Sequence, residues 1–198
     1  MPNIPIILLA AGGSSRMGTP KALLEWKGET LIESRIKTLL KTNQPLLVVL
    51  GSKADPIMPY VEKLKCDYVV NEDWEKGMST SIAFGVKNLI KKHQPLDGVL
   101  ITTIDQPLVD RDHLHKMIAL FEKNHRQIIV SKSNKGWTGI PVLFDSYYTS
   151  ELCELTGDTG AKSIVRKHSD NLLRVMGGEN LVDVDTPKQY EELKKSSS

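Results

Sequence analysis

The run Leu9-Ala10-Ala11-Gly12-Gly13-Ser14-Ser15-Arg16-Met17-Gly18-Thr19-Pro20-Lys21 closes an apolar stretch that begins at Ile6. Small residues at the end of a strand let backbone N–H groups approach an anion closely, and Arg16 and Lys21 add positive charge. A triphosphate is the natural guest of such a loop. Two familiar phosphate loops fail on spacing. A dinucleotide fingerprint needs G-x-G-x-x-G, which neither Gly12 nor Gly13 begins; a P-loop needs lysine directly after its second glycine, and here Thr19 follows Gly18, with Lys21 two places late. The segment is therefore a third kind of phosphate loop, or else a glycine-rich turn with two solvated cations. Ser14 and Ser15 sit in no G-x-S-x-G elbow, so they read as phosphate donors and not as nucleophiles.

Asp105 follows the apolar run 99–104, which places a carboxylate at the carboxyl end of an expected strand. Mg2+ takes one or two carboxylates and fills its remaining positions with water and substrate phosphate, so a second carboxylate is wanted. Asp185, after the apolar run 181–184, meets that need, and it would equally well cap a helix opening near Pro187. Asp183 falls on the same side of the expected strand but deeper in the sheet, and is set aside. Gly77-Met78-Ser79-Thr80-Ser81 reads locally as a helix start with Ser79 as its cap. The histidines at 93, 113, 115, 125 and 168 form no metal-ligand pattern, and His113 and His115 read as surface residues. Trp26, Trp74 and Trp137 read as packing residues, Trp74 alone standing near a candidate ligand loop.

These groups need a scaffold, and the hydrophobic pattern supplies one. Runs 6–9 and 46–50 are short, apolar throughout and followed by glycine or small residues, as strands buried on both faces are. Between them Leu31, Ile32, Ile36, Leu39 and Leu40 recur at helical spacing after Thr30, whose hydroxyl is placed to cap the helix, and Asn43 and Pro45 end it. The alternation continues: a helix through Val61 and Leu64, a strand at 67–70, a helix at 79–92, a strand at 99–104, a helix at 111–123 and a strand at 128–130. Residues 136–180 break the rhythm and read as an irregular lobe with added strands and short helices. A last strand at 181–184 leads into a helix at 187–195, and residues 194–198 read as a frayed tail. The fold class expected is α/β: a doubly wound, mostly parallel, Rossmann-like sheet with helices on both faces and ligands at the strand carboxyl ends. One domain is expected over 1–198, with a nucleotide-binding part at 1–110 and an acceptor-binding part at 111–190 that carries the second metal ligand.

Composition narrows the partners. The 198 residues carry 26 Lys+Arg against 24 Asp+Glu, a formal charge of +2, with 40% hydrophobic and 6% aromatic residues. That balance excludes disordered, collagenous and small disulfide-rich classes and argues against nucleic acid, while leaving room for a local basic pocket. Cys66 and Cys153 make no metal-ligand spacing and read as structural in a reducing compartment. The apolar stretch 4–11 is too short to span a bilayer, so a cytoplasmic protein without membrane association is expected.

Taken together, LAAGGSSRMGTPKALL resembles the signature of the MobA-like nucleotidyltransferases, in particular their molybdenum-cofactor cytidylyltransferase branch. Five further segments resemble the family in order: Gly77-Met78-Ser79-Thr80-Ser81, Asp105-Gln106-Pro107, 139–144, Gly157-Asp158-Thr159-Gly160-Ala161-Lys162 and Asp183-Val184-Asp185-Thr186-Pro187. The resemblance implies a nucleotide-diphospho-sugar-transferase-like fold and Mg2+, with Mn2+ as a substitute, held by Asp105 and Asp185. It implies nucleotide contacts from Leu9, Ala10, Ala11, Gly12, Gly13, Ser14 and Lys21, with Gly77, Met78 and Ser81 on the base side. Arg16, Lys21 and Asp105 would carry the catalysis. Gly139, Pro141, Gly157, Asp158, Gly160 and Lys162 would bind the acceptor. Ala10-Ala11-Gly12 goes with cytosine in that family, which implies CTP as donor, a molybdopterin acceptor and a molybdenum hydroxylase as client. Lys162 stands where arginine is usual and Ile140 where histidine is frequent, so the acceptor side departs from the family pattern. A guanylyl donor, a sugar or polyol phosphate acceptor, and nucleotide-dependent delivery of a finished cofactor are the alternatives. A nicotinamide oxidoreductase is disfavoured by the failed glycine spacing.

Overall fold

In the computed structural model, which describes residues 2–13 and 17–196, the chain runs β1 (Ile6–Ala10), β2 (Glu25–Trp26), β3 (Glu29–Thr30), α1 (Leu31–Leu40), β4 (Leu46–Leu50), α2 (Met58–Lys63), β5 (Asp67–Val70) and α3 (Met78–Lys92). It continues through β6 (Gly98–Thr103), α4 (Arg111–Leu120), β7 (Ile128–Ser133), β8 (Thr138–Asp145), α5 (Thr149–Cys153), α6 (Lys162–Lys167), β9 (Leu172–Gly178) and α7 (Pro187–Ser196). Seven strands form one sheet in the order β5-β4-β1-β6-β8-β7-β9. Only β8 runs antiparallel to its neighbours β6 and β7; the other pairings are parallel. The expected mostly parallel, doubly wound sheet is what forms.

Burial explains the wholly apolar strands. Every residue of β1 and β4 is buried, and alternate residues of β1 serve opposite layers: Ile6, Leu8 and Ala10 pack with Leu31, Ile32 and Ile36 of α1, whereas Ile7 and Leu9 pack with Ile82 and Val86 of α3. Each buried Ile or Leu contributes about 1.5–3 kcal/mol relative to exposure, so this central strand is fixed in register and its end is a firm platform. The chain passes from β1 outward through β4 to β5, then returns to the other side of β1 as β6. The crevice at that reversal, beyond the carboxyl ends of β1, β4 and β6, is where an open α/β sheet receives ligands.

Thr30 caps α1 as its sequence position suggests, and Glu33 returns the bond to the Thr30 N–H at 3.1 Å, completing a capping box. Lys63 of α2 also reaches Glu33, at 2.8 Å, so the first two helices are tied at this point.

Several expectations are corrected. Residues 181–184 form no strand: Leu181 and Val184 are buried but three apart, not two, and the Val184 N–H donates to the carbonyl of Asp105 at 2.8 Å instead of joining a ladder. The strand lies earlier, as β9, within the stretch read as irregular. As the sheet edge it exposes Arg174 and Met176, which hides it from a search for apolar runs. Residues 194–196, expected to belong to a frayed tail, are part of α7, and Lys194 bonds Glu25; residues 197 and 198 lie outside the described ones. His113 is buried, not at the surface: its Nε2 meets Ser131 Oγ at 2.8 Å, and Ser131 in turn donates to the carbonyl of Pro141 at 2.7 Å. Among the described residues no helix is long and apolar enough to cross a membrane.

Candidate active site

The end of β1 opens into a cleft of about 530 Å³. Leu9, Ala10, Ala11, Gly12, Gly13 and Lys21 line it from the first loop; Trp74, Glu75, Gly77, Met78 and Ser81 from the start of α3; Thr103, Ile104 and Asp105 from the end of β6; and Asp158 and Asp185 from later segments. Ala22 and Ile57 complete the wall. Strand ends therefore gather segments that are remote in sequence. Backbone bonds hold the rim: Ile104 N–H donates to Leu9 O at 3.0 Å and Ser52 N–H to Ala11 O at 3.1 Å. Ser14 and Arg16 lie outside the described residues.

The first loop leaves room for close approach. A Cβ on Gly12 would meet nothing within 4 Å, so its face is open, whereas a Cβ on Gly13 would meet the Trp74 ring at 3.1 Å. Trp74 thus braces the loop. Lys21 starts a 3-10 turn after Pro20; its side chain is 13% exposed, and its ammonium lies 2.6 Å from Oδ1 of Asp185.

Three carboxylates crowd this end of the cleft. Asp105 accepts a short hydrogen bond from the Thr103 hydroxyl, and Asp183 accepts one from Gln106 Nε2 at 2.9 Å. The Asp183 carboxyl is held above the usual carboxylate range, chiefly by burial, with the charges of Asp105 and Asp185 adding to the rise; the Gln106 bond and Lys21 pull the other way. Asp183, set aside on sequence, thus belongs to the same acidic group. The premise that removed it was a strand that does not form. Asp185 is not the cap of α7: Thr186 is, accepting from the Gln189 N–H at 3.3 Å while Gln189 Oε1 accepts from the N–H groups of Asp185 and Thr186, each at 2.9 Å. Its carboxylate is left for Lys21 and the cleft.

These donors suit a hard divalent cation. Asp105 and Asp185 both line the cleft, and Asp183, buried beside them, feels the charge of each. Among the described residues no three carboxylate, imidazole or thiolate groups converge on one point.

α3 starts at Met78 with Gly77 as its cap residue, one position earlier than expected, so Ser79 is no cap. The Ser79 N–H donates to Gly157 O at 3.1 Å and its hydroxyl to Gly160 O at 3.3 Å. Gly77 has φ +105°, and a Cβ there would fall 1.9 Å from Asp158 Oδ1 and 2.6 Å from Gly157 O, so only glycine fits. Ser81 is buried and its hydroxyl accepts from Asn71 Nδ2 at 3.0 Å. Asn71 had no signal in the sequence.

The expected acceptor residues divide. Asp158 lines the cleft; Gly157 and Gly160 form the loop clamped onto α3; Lys162 is the exposed first residue of α6; and Gly139 and Pro141 lie on β8, Pro141 buried. Only Asp158 of the six borders the cleft.

The MobA-like NTP transferase domain model matches residues 6–172. The chain belongs to that family. This MobA-like chain is 27% identical to the purine catabolism protein PucB of Bacillus subtilis over 203 residues, covering 97% of the chain and 96% of the relative. It is 27% identical to nicotine blue oxidoreductase of Paenarthrobacter nicotinovorans (96% and 95% covered) and 24% identical to the molybdenum cofactor cytidylyltransferase of Escherichia coli (96% and 95%). Among solved structures it superposes on Rv0371c of Mycobacterium tuberculosis with a TM-score of 0.85 at 28% identity, covering 98% of both chains. A manganese complex of Rv0371c superposes with a TM-score of 0.81 at 26% identity, covering 98% and 99%. As a MobA-like domain the protein is a nucleotidyltransferase.

Proposed function

We propose that the protein transfers CMP from CTP to the terminal phosphate of a molybdopterin, releasing pyrophosphate. The observation that carries the reading is the convergence of Lys21, Asp105 and Asp185 with the Leu9–Gly13 backbone on one cleft. A terminal phosphate oxygen of the acceptor attacks the α-phosphorus of CTP; the new P–O bond forms as the bond to the β-phosphate bridging oxygen breaks, and pyrophosphate carries away the electron pair. The attacking oxygen is already ionised at neutral pH, so no general base is needed, and catalysis rests on positioning and charge stabilisation.

The chain's own groups divide this work. Backbone N–H groups of the first loop receive the triphosphate, and Lys21 neutralises charge that moves onto the leaving group. Asp105 and Asp185 are the residues to hold a divalent ion, which supplies charge neutralisation at the α-phosphate; Mg2+ is proposed, with Mn2+ a substitute. Gly77, Met78, Ser81 and the Trp74 ring bound the nucleoside. The choice of CTP follows the cytidylyltransferase relative and Ala10-Ala11-Gly12; a client molybdenum hydroxylase follows from the same resemblance. Asp158 at the cleft edge, with Lys162 and the segment through Gly139 and Pro141 beyond it, forms the acceptor side.

The oxidoreductase name of one relative supplies a second reading, hydride transfer. It requires a redox nucleotide in this cleft, whose loop lacks the G-x-G-x-x-G spacing. One panel separates the readings: thermal shift with CTP, GTP, ATP, UTP and NADH, each with Mg2+, followed by pyrophosphate release with molybdopterin. Selective stabilisation by CTP and pterin-dependent pyrophosphate are expected. Stabilisation by GTP alone, or by NADH alone, would replace the reading.

A further inference from the structure

Arg35 on α1 is 1% exposed, on the face of the helix that sends Leu31, Ile32, Ile36 and Leu39 into the core. One of its nitrogens, Nη1, donates a short bond to the carbonyl of Val109; Nε and Nη2 are buried with no hydrogen-bond partner. A buried guanidinium so poorly satisfied is costly unless opposite charges repay its desolvation. Burial brings Arg35 down to about 10, so it remains a cation at neutral pH, and the charges that hold it up are Asp105 and Asp110. Those two carboxylates bracket the segment after β6, which Arg35 also grips at Val109. The mechanism above makes no use of this charge.

We propose that Arg35 is a positioning residue for metal entry: its buried charge offsets Asp105 and keeps the protein's own affinity for a divalent cation low, so that the metal enters with a nucleotide whose phosphates supply the missing negative charge. The inference rests on reading Asp105 as a metal ligand. Lys21 acts in the same sense on Asp185 through their ion pair. The two cations differ in reach. Lys21 faces the cleft and is displaced by competition, whereas Arg35 is sealed in the core, where salt does not screen it and no ligand can draw it away. Arg35 therefore sets a fixed level of opposition, and the nucleotide overcomes it.

The test titrates Mn2+ alone into the full-length protein, followed by electron paramagnetic resonance, for wild type, Arg35→Met, Arg35→Lys, Asp105→Asn and the Arg35→Met/Asp105→Asn pair. Removing a buried like charge is expected to tighten Mn2+ binding about five-fold or more in Arg35→Met, to leave Arg35→Lys within about two-fold of wild type, and to restore no binding in the Arg35→Met/Asp105→Asn pair, because the ligand itself is gone. The gain should persist when salt is raised. If Arg35→Met fails to fold, Arg35→Gln, which keeps a donor for Val109, takes its place with the same expectation. Unchanged or weaker Mn2+ binding in the folded Arg35 variant, with Asp105→Asn still losing the ion, overturns the role of Arg35 and leaves the ligand assignment standing. Asp105→Asn binding Mn2+ as wild type does overturns the ligand assignment itself.

Discussion

Nζ of Lys21 lies 2.6 Å from Oδ1 of Asp185, pairing a cation of the phosphate loop with a carboxylate 164 positions further along the chain. Charge at this end of the cleft is therefore arranged in opposition, and under the proposed function a triphosphate with its cation would satisfy both partners at once. Lys21→Ala should fold normally and lose roughly 10²-fold in turnover, since the lost contact strengthens as charge moves to the leaving group. Pyrophosphate release at saturating nucleotide is the measurement. Near-normal turnover removes Lys21 from the chemistry.

Asp105→Asn keeps the shape of the side chain and its place beside Thr103 but withdraws the charge. Metal-dependent turnover should fall to background at every Mg2+ or Mn2+ concentration, with the melting temperature preserved. An unaltered metal-dependence curve would exclude Asp105 as a ligand.

Gly77→Ala forces a Cβ to within 1.9 Å of Asp158 Oδ1 and 2.6 Å of Gly157 O, at a φ of +105°. Strain and displacement together should cost about 2–3 kcal/mol or more. For a chain of this length that is a fall of about 4–12 °C in melting temperature by calorimetry. Nucleotide affinity should weaken in the same variant, because Gly77 and Asp158 both line the cleft. A melting temperature within about 1 °C of wild type would mean that the 157–160 loop does not close on α3.

Glu33 should make α1 acid-sensitive. Hydrogen bonds from Lys63 and then Thr30 hold its carboxyl at about 2, against an ordinary 4.5, with burial opposing them. A folded-state value below the unfolded one means stability that is complete above pH 4.5 and lost as pH falls towards 2. Wild type should therefore exceed Glu33→Gln in thermal stability at pH 7, with the gap closing between those limits. A gap independent of pH would show that packing and not ionisation separates the two.

The central strands and the α1 cap were legible because each depends on neighbours in the chain. Ile6–Ala10 and Leu46–Leu50 are apolar throughout because helices cover both faces, and Thr30 stands directly before the helical period that its hydroxyl caps. Asp105 was legible too, as the carboxylate just past a buried strand. Other features depended on partners distant in sequence. Edge strand β9 carries Arg174 and Met176 towards solvent, so only pairing with β7 makes it a strand, while 181–184 looks like a strand yet fills the core without a ladder. The cap of α7 is by contrast local, taken by Thr186 with Gln189, whereas the pairing of Asp185 with Lys21 spans 164 positions. The sequence by itself determined a mostly parallel α/β sheet with a glycine-rich loop at the end of its first strand, since local hydrophobic period and turn chemistry suffice for that. Only the tertiary structure decided that Asp183 joins Asp105 and Asp185, that Gly157 closes on α3, and that Arg35 sits sealed beside the segment after β6. Burial and electrostatic fields sum over neighbours in space, and no window along the chain contains them.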